Sequence, residues 1–140
     1  MNPKVYIETT IVSYLAAHPS RDLIVAGHQQ ITHEWWQTSR HNFAVVSSQL
    51  VAREAGAGDP EAAEARLAFL AELILLEITE EALTLAQHLL QSKVIPQDFP
   101  EDALHVAVAV VHGIEYLLTW NYKHLANAGM RSKIEATCRE

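Results

Sequence analysis

Four oxygen-bearing side chains lie at or just beyond the ends of segments that are predicted to be strands. Glu8 directly follows the apolar residues 5–7, and Glu54 lies two turns into the helix predicted after the second strand. Asp102 begins the helix that leads into the last strand, and Asn121 follows that strand. Carboxylate and amide oxygens suit Mg²⁺ or Mn²⁺ better than Zn²⁺. If the four side chains converge, they could hold a divalent cation that activates a bound water.

Each of these residues also has an ordinary structural explanation. Asp102 lies at a helix start, where acids are favoured by the positive end of the helix dipole. Glu54 lies on a partly apolar helix face, where a carboxylate is usually solvated, and Asn121 is a natural turn residue. Glu8 is the hardest to explain in this way, because a carboxylate at the end of a central strand is costly to bury without a partner.

The segments between these residues predict an α/β fold. Short apolar runs alternate with longer runs of helical periodicity, the pattern of a parallel sheet covered by helices. Strands are predicted over residues 5–7, 43–46, 75–78 and 116–119. Helices are predicted over about residues 10–17, 22–38, 80–92, 100–112 and 131–137. Two more are predicted in between, one that carries Leu50 and Glu54 and stops at residues 56–58, and one that opens at Asp59 and Pro60. Ser47 or Ser48, Asp59 and Thr79 are the predicted N-terminal caps. Ligands of such sheets bind at the carboxyl ends of the strands, where the strand order reverses.

The length and composition indicate one globular domain over residues 1–140. Hydrophobic residues make up 49% and charged residues 19% of the chain, which excludes a disordered tail. No apolar run approaches the roughly 18 residues needed to cross a bilayer, and no membrane association is expected. The single cysteine, Cys138, can form neither an internal disulfide nor a multi-cysteine metal site, so a cytoplasmic location is expected.

The charge of the chain is negative but unevenly distributed. Ten basic and seventeen acidic residues give a net charge of -7, which argues against a protein that coats the phosphate backbone of nucleic acid. Residues 54–102 carry most of the acids, whereas residues 121–140 are mildly basic. This distribution suits a metal pocket beside a modest anion-binding surface, and it suits a soluble acidic protein equally well.

Two further features each have two interpretations. His105 lies one helical turn past Asp102, where it could orient a ligand or could be a hydrogen-bonded histidine of the core. Trp35 and Trp36 could stack on bases, although two tryptophans on a long helix usually indicate core and partner contacts.

Taken in order, four motifs resemble those of a PIN domain, most closely the bacterial VapC-like toxins. The motifs are Val-Tyr-Ile-Glu8-Thr9-Thr10, Leu-Val-Ala-Arg-Glu54, Glu-Asp102-Ala-Leu-His105 and Leu-Leu-Thr119-Trp-Asn121. The resemblance covers nearly the whole chain. It implies a three-layer α/β/α sandwich with a central parallel sheet of four strands, and a fifth strand beyond residues 131–137 is the open alternative.

The resemblance also implies an activity and partners. VapC-like proteins are endoribonucleases that use Mg²⁺ or Mn²⁺ to cleave single-stranded or tRNA-like RNA. They are the toxins of type II toxin–antitoxin systems, so an antitoxin protein and a homodimer are expected. Two alternatives stay open, namely a PIN-like RNA- or protein-binding module with weakened or lost turnover, and a DNA nuclease of the same chemistry.

The residue roles carried over from the family follow the motifs. Glu8, Asp102 and Asn121 would hold the metal, and Glu54 would hold or deprotonate the attacking water. Two threonines, Thr9 and Thr119, would orient water or phosphate. The family usually has Asp at the first and fourth positions, so Glu8 extends its carboxylate by one methylene and Asn121 removes one negative charge while keeping an oxygen ligand.

Overall fold

The sheet is built around a strand that is buried on both faces. In the computed structural model of the protein, which describes residues 2–121, β1 spans Lys4–Ile7 and its last three residues are buried. β1 pairs in parallel with β2 (Ala44–Ser48) on one side and with β4 (Tyr116–Leu118) on the other, and β2 pairs in parallel with β3 (Ile74–Leu76). The strand order β3-β2-β1-β4, with all pairs parallel, confirms the predicted parallel sheet. The last three residues of the internal strand β1 are all apolar or aromatic because helices cover both faces of the sheet.

The helices between the strands follow the predicted alternation. They are α1 (Thr9–Ala16), α2 (Leu23–Gln37), a short 3-10 helix (Ser39–Asn42), α3 (Gln49–Ala55), α4 (Pro60–Leu70), α5 (Glu80–Gln91) and α6 (Pro100–Val111). Helices α5 and α6 pack against each other, and α1 packs against α2, α3 and α4. The six α-helices of the described residues flank the four-stranded sheet, which confirms the predicted three-layer α/β/α sandwich.

Local side-chain caps explain where four of the helices begin. The side chains of Asp22, Ser48, Asp59 and Thr79 each accept a hydrogen bond from a backbone N–H in the first turn of the helix that follows, at distances of 2.9–3.2 Å. These contacts satisfy N–H groups that have no partner inside the helix. Ser48, Asp59 and Thr79 lie at predicted cap positions, and Asp22 lies at the predicted start of its helix, because a capping signal depends only on residues close in sequence.

The end of α6 is determined by a glycine. Gly113 has a φ of +69°, a conformation that other residues adopt only with strain. The N–H of Ile114 then bonds to the carbonyl of Ala109 at 2.9 Å, which is the helix-terminating pattern that an αL glycine permits. The chain therefore leaves α6 sharply and turns into β4.

Strand limits differ from the predicted ones where local hydrogen bonds compete with the sheet. β2 starts one residue later than predicted because the N–H of Phe43 bonds to Arg40 at 3.1 Å and closes the 3-10 helix. The predicted third strand, residues 75–78, is wrong at its end. The N–H of Ile78 donates to the side chain of Gln49 at 3.2 Å instead of pairing with a strand. β4 ends at Leu118, so Thr119 lies just beyond the strand.

Some predictions fall beyond residues 2–121. The helix predicted over residues 131–137, the alternative fifth strand, Cys138 and the basic residues near the C-terminus all lie outside the described residues, and the single domain over residues 1–140 stays a prediction. Within residues 2–121, no helix has both the length and the apolar character required to cross a membrane.

Candidate functional site

Glu8 lies at the carboxyl edge of the sheet, at the point where the strand order reverses between β1 and β4. Its backbone N–H continues the pairing of β1 with β4 by donating to the carbonyl of Leu118 at 3.1 Å. Its side chain is only 5% exposed. Oε1 of Glu8 accepts hydrogen bonds from the hydroxyls of Thr10, at 2.6 Å, and Thr119, at 2.5 Å. Glu8 is therefore a buried carboxylate that contacts the segment at the end of β4.

The same two threonines connect Glu8 to the segment after β4. The hydroxyl oxygen of Thr10 accepts the backbone N–H of Trp120, and that of Thr119 accepts the backbone N–H of Asn121, both at 2.9 Å. Each hydroxyl therefore donates its proton to Glu8 and accepts a backbone proton. This arrangement holds the loop after β4 in a defined position relative to the carboxylate.

Asp102 and Asn121 form a second pair in this region. The side-chain amide of Asn121 donates to Oδ1 of Asp102 at 3.1 Å, across 19 residues of sequence. Both side chains are partly buried. Asp102 is thus more than a helix-start acid, and Asn121 is more than a turn residue, because each contacts the other at the edge where Glu8 lies.

Glu54 is held by two contacts that differ from those of Glu8. Its Oε1 accepts from the hydroxyl of Thr9 at 2.5 Å and from Nε2 of His105 at 2.8 Å. Burial raises the pKa of Glu54, but the hydrogen bonds from His105 and Thr9, together with the charge of Arg53, outweigh it, so the pKa lies below the ordinary value. Glu54 is therefore an ionised carboxylate at neutral pH, with its side chain 26% exposed.

Behind Glu54 lies a chain of buried polar groups that includes Tyr6. Its hydroxyl contacts Nδ1 of His105 at 2.7 Å and the hydroxyl of Ser48 at 2.8 Å. Burial raises the pKa of Tyr6 far above its usual range, and the nearby carboxylates of Glu8 and Glu54 add to the effect, although the Ser48 hydrogen bond opposes it. Tyr6 is therefore a protonated phenol that can act as a hydrogen-bond donor.

The charges around these carboxylates are not balanced by basic side chains. Among residues 2–121, neither Glu8 nor Glu54 forms an ion pair with a lysine or an arginine. In the same part of the chain, no three His, Cys, Asp or Glu side chains are arranged to hold one metal ion. The described residues therefore form no dense cage of protein ligands for a metal ion.

The acidic edge is the part of the sheet edge around Glu8, Glu54, Asp102 and Asn121. A mostly apolar cavity adjoins this acidic edge and includes Thr119, whose hydroxyl contacts Glu8. The cavity has a volume of about 210 Å³ and is lined by Ile11, Ile31, Thr32, Trp35, Leu118, Thr119 and Trp120. The indole N–H of Trp120 donates to the hydroxyl of Thr32 at 2.7 Å, and the indole ring stacks on His28 with centroids 4.1 Å apart. The cavity thus has an aromatic wall that is held in place by a hydrogen bond and a stacking contact.

The sequence predictions placed the acidic residues at the correct edge of the sheet but missed part of their surroundings. Thr9 and Thr119 contact Glu54 and Glu8, whereas Thr10, Tyr6 and Ser48 were not among the predicted site residues. A tyrosine inside an apolar strand is a usable signal, because a buried phenol needs a hydrogen-bond partner. Which partner it finds depends on segments that are distant in sequence.

The comparisons with known proteins identify no relative. No protein-family model matches the chain, and no curated protein or solved structure matches it significantly.

Proposed function

We propose that this chain is a divalent-metal-dependent endoribonuclease of the PIN type and the toxin component of a type II toxin–antitoxin system. The observation that carries the proposal is the environment of Glu8. This carboxylate is 5% exposed, is held by two threonine hydroxyls and has no basic partner among the described residues. Burying such a group is expensive unless a cation or a proton compensates it.

The donor atoms near Glu8 fit Mg²⁺ or Mn²⁺. The hydrogen bonds that Glu8 and Glu54 accept from the described residues all go to Oε1, so Oε2 of each is left for a cation or a water. Mg²⁺ keeps several water ligands and commonly uses only one or two protein carboxylates, with substrate phosphates supplying the rest. Glu8 and Asp102 would hold the cation, and the oxygen of Asn121 would complete the protein ligands.

In the proposed reaction, Glu54 binds and orients the attacking water. As an ionised carboxylate it can accept the proton of that water when the water attacks the phosphorus of RNA. The bound cation would lower the pKa of this water and neutralise charge on the phosphate oxygens. Thr10 and Thr119 hold Glu8 in place, while Thr9 holds Glu54.

The apolar cavity supports a substrate with unpaired bases. It begins at Thr119, whose hydroxyl contacts Glu8, so a base next to a phosphate at the acidic edge would reach the aromatic wall. Unstacked bases bind aromatic side chains with about 1–3 kcal/mol per base. The cavity therefore suits single-stranded or looped RNA, including tRNA-like molecules.

The proposed partners are a second copy of the chain and an antitoxin protein. Helix α2 exposes large apolar side chains, with Leu23 87%, Ile24 72% and Ile31 56% exposed. Ile24 and Ile31 lie seven residues apart and so share one helical face. This face supports a homodimer formed through helices, and an antitoxin would block the acidic edge.

One contact favours the alternative function, a PIN-like binding module with little turnover. The amide of Asn121 donates to Oδ1 of Asp102, a carboxylate that the proposed function assigns to the cation. The family pattern has an acid at position 121, and that acid would add a negatively charged ligand for the metal. A domain with this pair could retain RNA without cleaving it efficiently.

The test of the proposed function is cleavage of labelled single-stranded RNA and of DNA with the same sequence. We expect Mn²⁺ or Mg²⁺ to support cleavage of the RNA and a chelator to abolish it. Asp102→Asn should lower the rate at least tenfold, which corresponds to about 1.4 kcal/mol of barrier. Glu101→Gln is the matched control, because Glu101 is an exposed acid in the same helical turn and should be replaceable without loss.

Three results would contradict this proposal. Equal rates for the wild type and Asp102→Asn would identify a contaminating nuclease. RNA binding without cleavage would favour the binding module, and faster cleavage of DNA than of RNA would favour the DNA nuclease.

Replacing Asn121 by aspartate tests whether this residue belongs to the site. Asn121→Asp should raise the affinity for Mn²⁺ and allow Mg²⁺ to replace it more readily, because hard cations favour carboxylate oxygens. In chelator, the same variant should be less stable than the wild type. The amide hydrogen bond to Asp102 is lost, and two carboxylates about 4 Å apart repel by roughly 4 kcal/mol at an effective dielectric near 20. Metal titration and chemical unfolding in chelator measure both effects. An unchanged metal affinity together with a stability change below about 0.5 kcal/mol would place Asn121 outside the site.

A further inference from the structure

Behind Glu54, four polar side chains form a continuous hydrogen-bonded series that reaches into the core. It runs from Ser48 to Tyr6, then to His105 and finally to Glu54, with distances of 2.8, 2.7 and 2.8 Å. Ser48 and Tyr6 are fully buried and His105 is 1% exposed, whereas the side chain of Glu54 is 26% exposed. The series therefore begins in the core and ends at a carboxylate that reaches solvent at the candidate site.

The hydrogen-bonding capacity of each group determines the direction of this series. An ionised carboxylate only accepts, so Nε2 of His105 must carry the proton that lies between it and Glu54. The Ser48 oxygen already accepts the N–H of Val51 at 3.2 Å, as the cap of α3. If Ser48 donates to Tyr6 and Tyr6 donates to Nδ1 of His105, every polar hydrogen in the series has an acceptor.

The opposite direction leaves one group unsatisfied. If Nδ1 of His105 carried a proton and donated to Tyr6, Tyr6 would have to donate to Ser48. The hydroxyl proton of Ser48 would then have no acceptor among the described residues, at a position with no exposure. Leaving a buried donor unpaired costs about 1–3 kcal/mol. The observed contacts therefore select a neutral His105 with its proton on Nε2.

We propose that His105 and Tyr6 are positioning residues for Glu54. Tyr6 fixes the tautomer of His105, and His105 then donates through Nε2 to Oε1 of Glu54. Thr9 donates to the same oxygen, so the carboxylate is oriented with Oε2 as the atom that meets the attacking water. This inference rests on the proposed function, in which Glu54 binds that water, and adds the residues that orient it.

A purely structural role would not require these particular groups. Well-packed apolar side chains would fill the same space at no hydrogen-bonding cost, whereas a buried polar series is stable only when every member is satisfied. This series ends at Glu54, a partly exposed carboxylate of the acidic edge. The direction of the hydrogen bonds in the series therefore affects how the Glu54 carboxylate is oriented at the candidate site. Partners that orient a reacting group from behind typically change activity by about 10–100-fold when removed.

The experiment combines kinetics of three variants with nitrogen NMR of the histidine ring. His105→Leu removes the donor to Glu54 and should lower kcat for RNA about tenfold with KM unchanged. His105→Gln should recover much of the loss, because an amide N–H can donate to Glu54 in place of Nε2. Tyr6→Phe removes one oxygen atom and should lower kcat less than His105→Leu does. His112→Gln is the control, since His112 hydrogen-bonds to the carbonyl of Glu77, outside the series.

The NMR measurement separates this inference from the proposed function. In the wild-type protein at neutral pH, His105 should be neutral and protonated on Nε2, whether or not RNA is cleaved. An Nδ1-protonated ring would overturn the inference, and so would full activity in His105→Leu or equal losses in His105→Leu and His105→Gln. A wild type that shows the expected tautomer but does not cleave RNA would overturn the proposed function and, with it, the role of Glu54 in catalysis.

Discussion

Replacing Glu54 by glutamine should lower kcat for RNA cleavage about 100-fold, or about 2.7 kcal/mol of barrier, because a positioned general base typically contributes 10²–10⁴-fold. The glutamine oxygen can still accept hydrogen bonds from Thr9 and His105, so the side chain should keep its place. What it cannot do is accept a proton from water at neutral pH. The expected result is therefore a loss of turnover without a loss of fold, measured under single-turnover conditions with labelled RNA.

The stability of the same variant gives an independent check of the state of Glu54. Because the pKa of Glu54 in the folded protein lies below its ordinary value, the carboxylate stabilises the fold at a pH above that ordinary value. This contribution is lost as the pH falls through the folded-state pKa. Wild type and Glu54→Gln should therefore differ in stability at neutral pH and converge in acid. Glu64→Gln, which replaces an exposed acid of α4 beyond its first turn, is the control and should affect neither rate nor stability. Full turnover by Glu54→Gln would exclude Glu54 as the base.

A divalent cation that binds only the folded protein should raise the free energy of unfolding by about 2.7 kcal/mol at a hundred times its dissociation constant. Glu8 has no basic partner in residues 2–121, so a cation would relieve the cost of burying its charge. The melting temperature should rise in Mn²⁺ and return to its starting value in chelator. In Asp102→Ala the rise should disappear.

Glu101→Ala is the matched control for this measurement. Glu101 and Asp102 are neighbouring acids in the first turn of α6, so both substitutions remove the same favourable interaction with the helix dipole. Only Asp102 contacts Asn121 at the acidic edge. A metal-induced rise that is equal in both variants would mean that the cation binds elsewhere on this acidic protein. The absence of any rise at millimolar Mn²⁺ would contradict a site preformed without RNA.

Local residue patterns predicted the elements of the fold because most of the signals act over a few residues. A cap such as Asp59 bonds to an N–H three residues away, and Gly113 ends α6 through its own backbone conformation. The errors occurred where distant groups competed for a backbone hydrogen bond. The side chain of Gln49, for example, takes the N–H of Ile78 and ends β3 early. Which group wins such a backbone hydrogen bond is decided by tertiary packing, and the outcome leaves no periodic pattern in the sequence.

The sequence by itself determined that Glu8, Glu54, Asp102 and Asn121 lie near one edge of a parallel sheet, because parallel strands bring their carboxyl ends together wherever helices connect them. Only the tertiary structure decided how those side chains are held. The contacts between Thr119 and Glu8, and between His105 and Glu54, join positions that are 111 and 51 residues apart. Side-chain hydrogen bonds depend on distances of a fraction of an ångström, which come from the packing of the whole core and from no single stretch of residues.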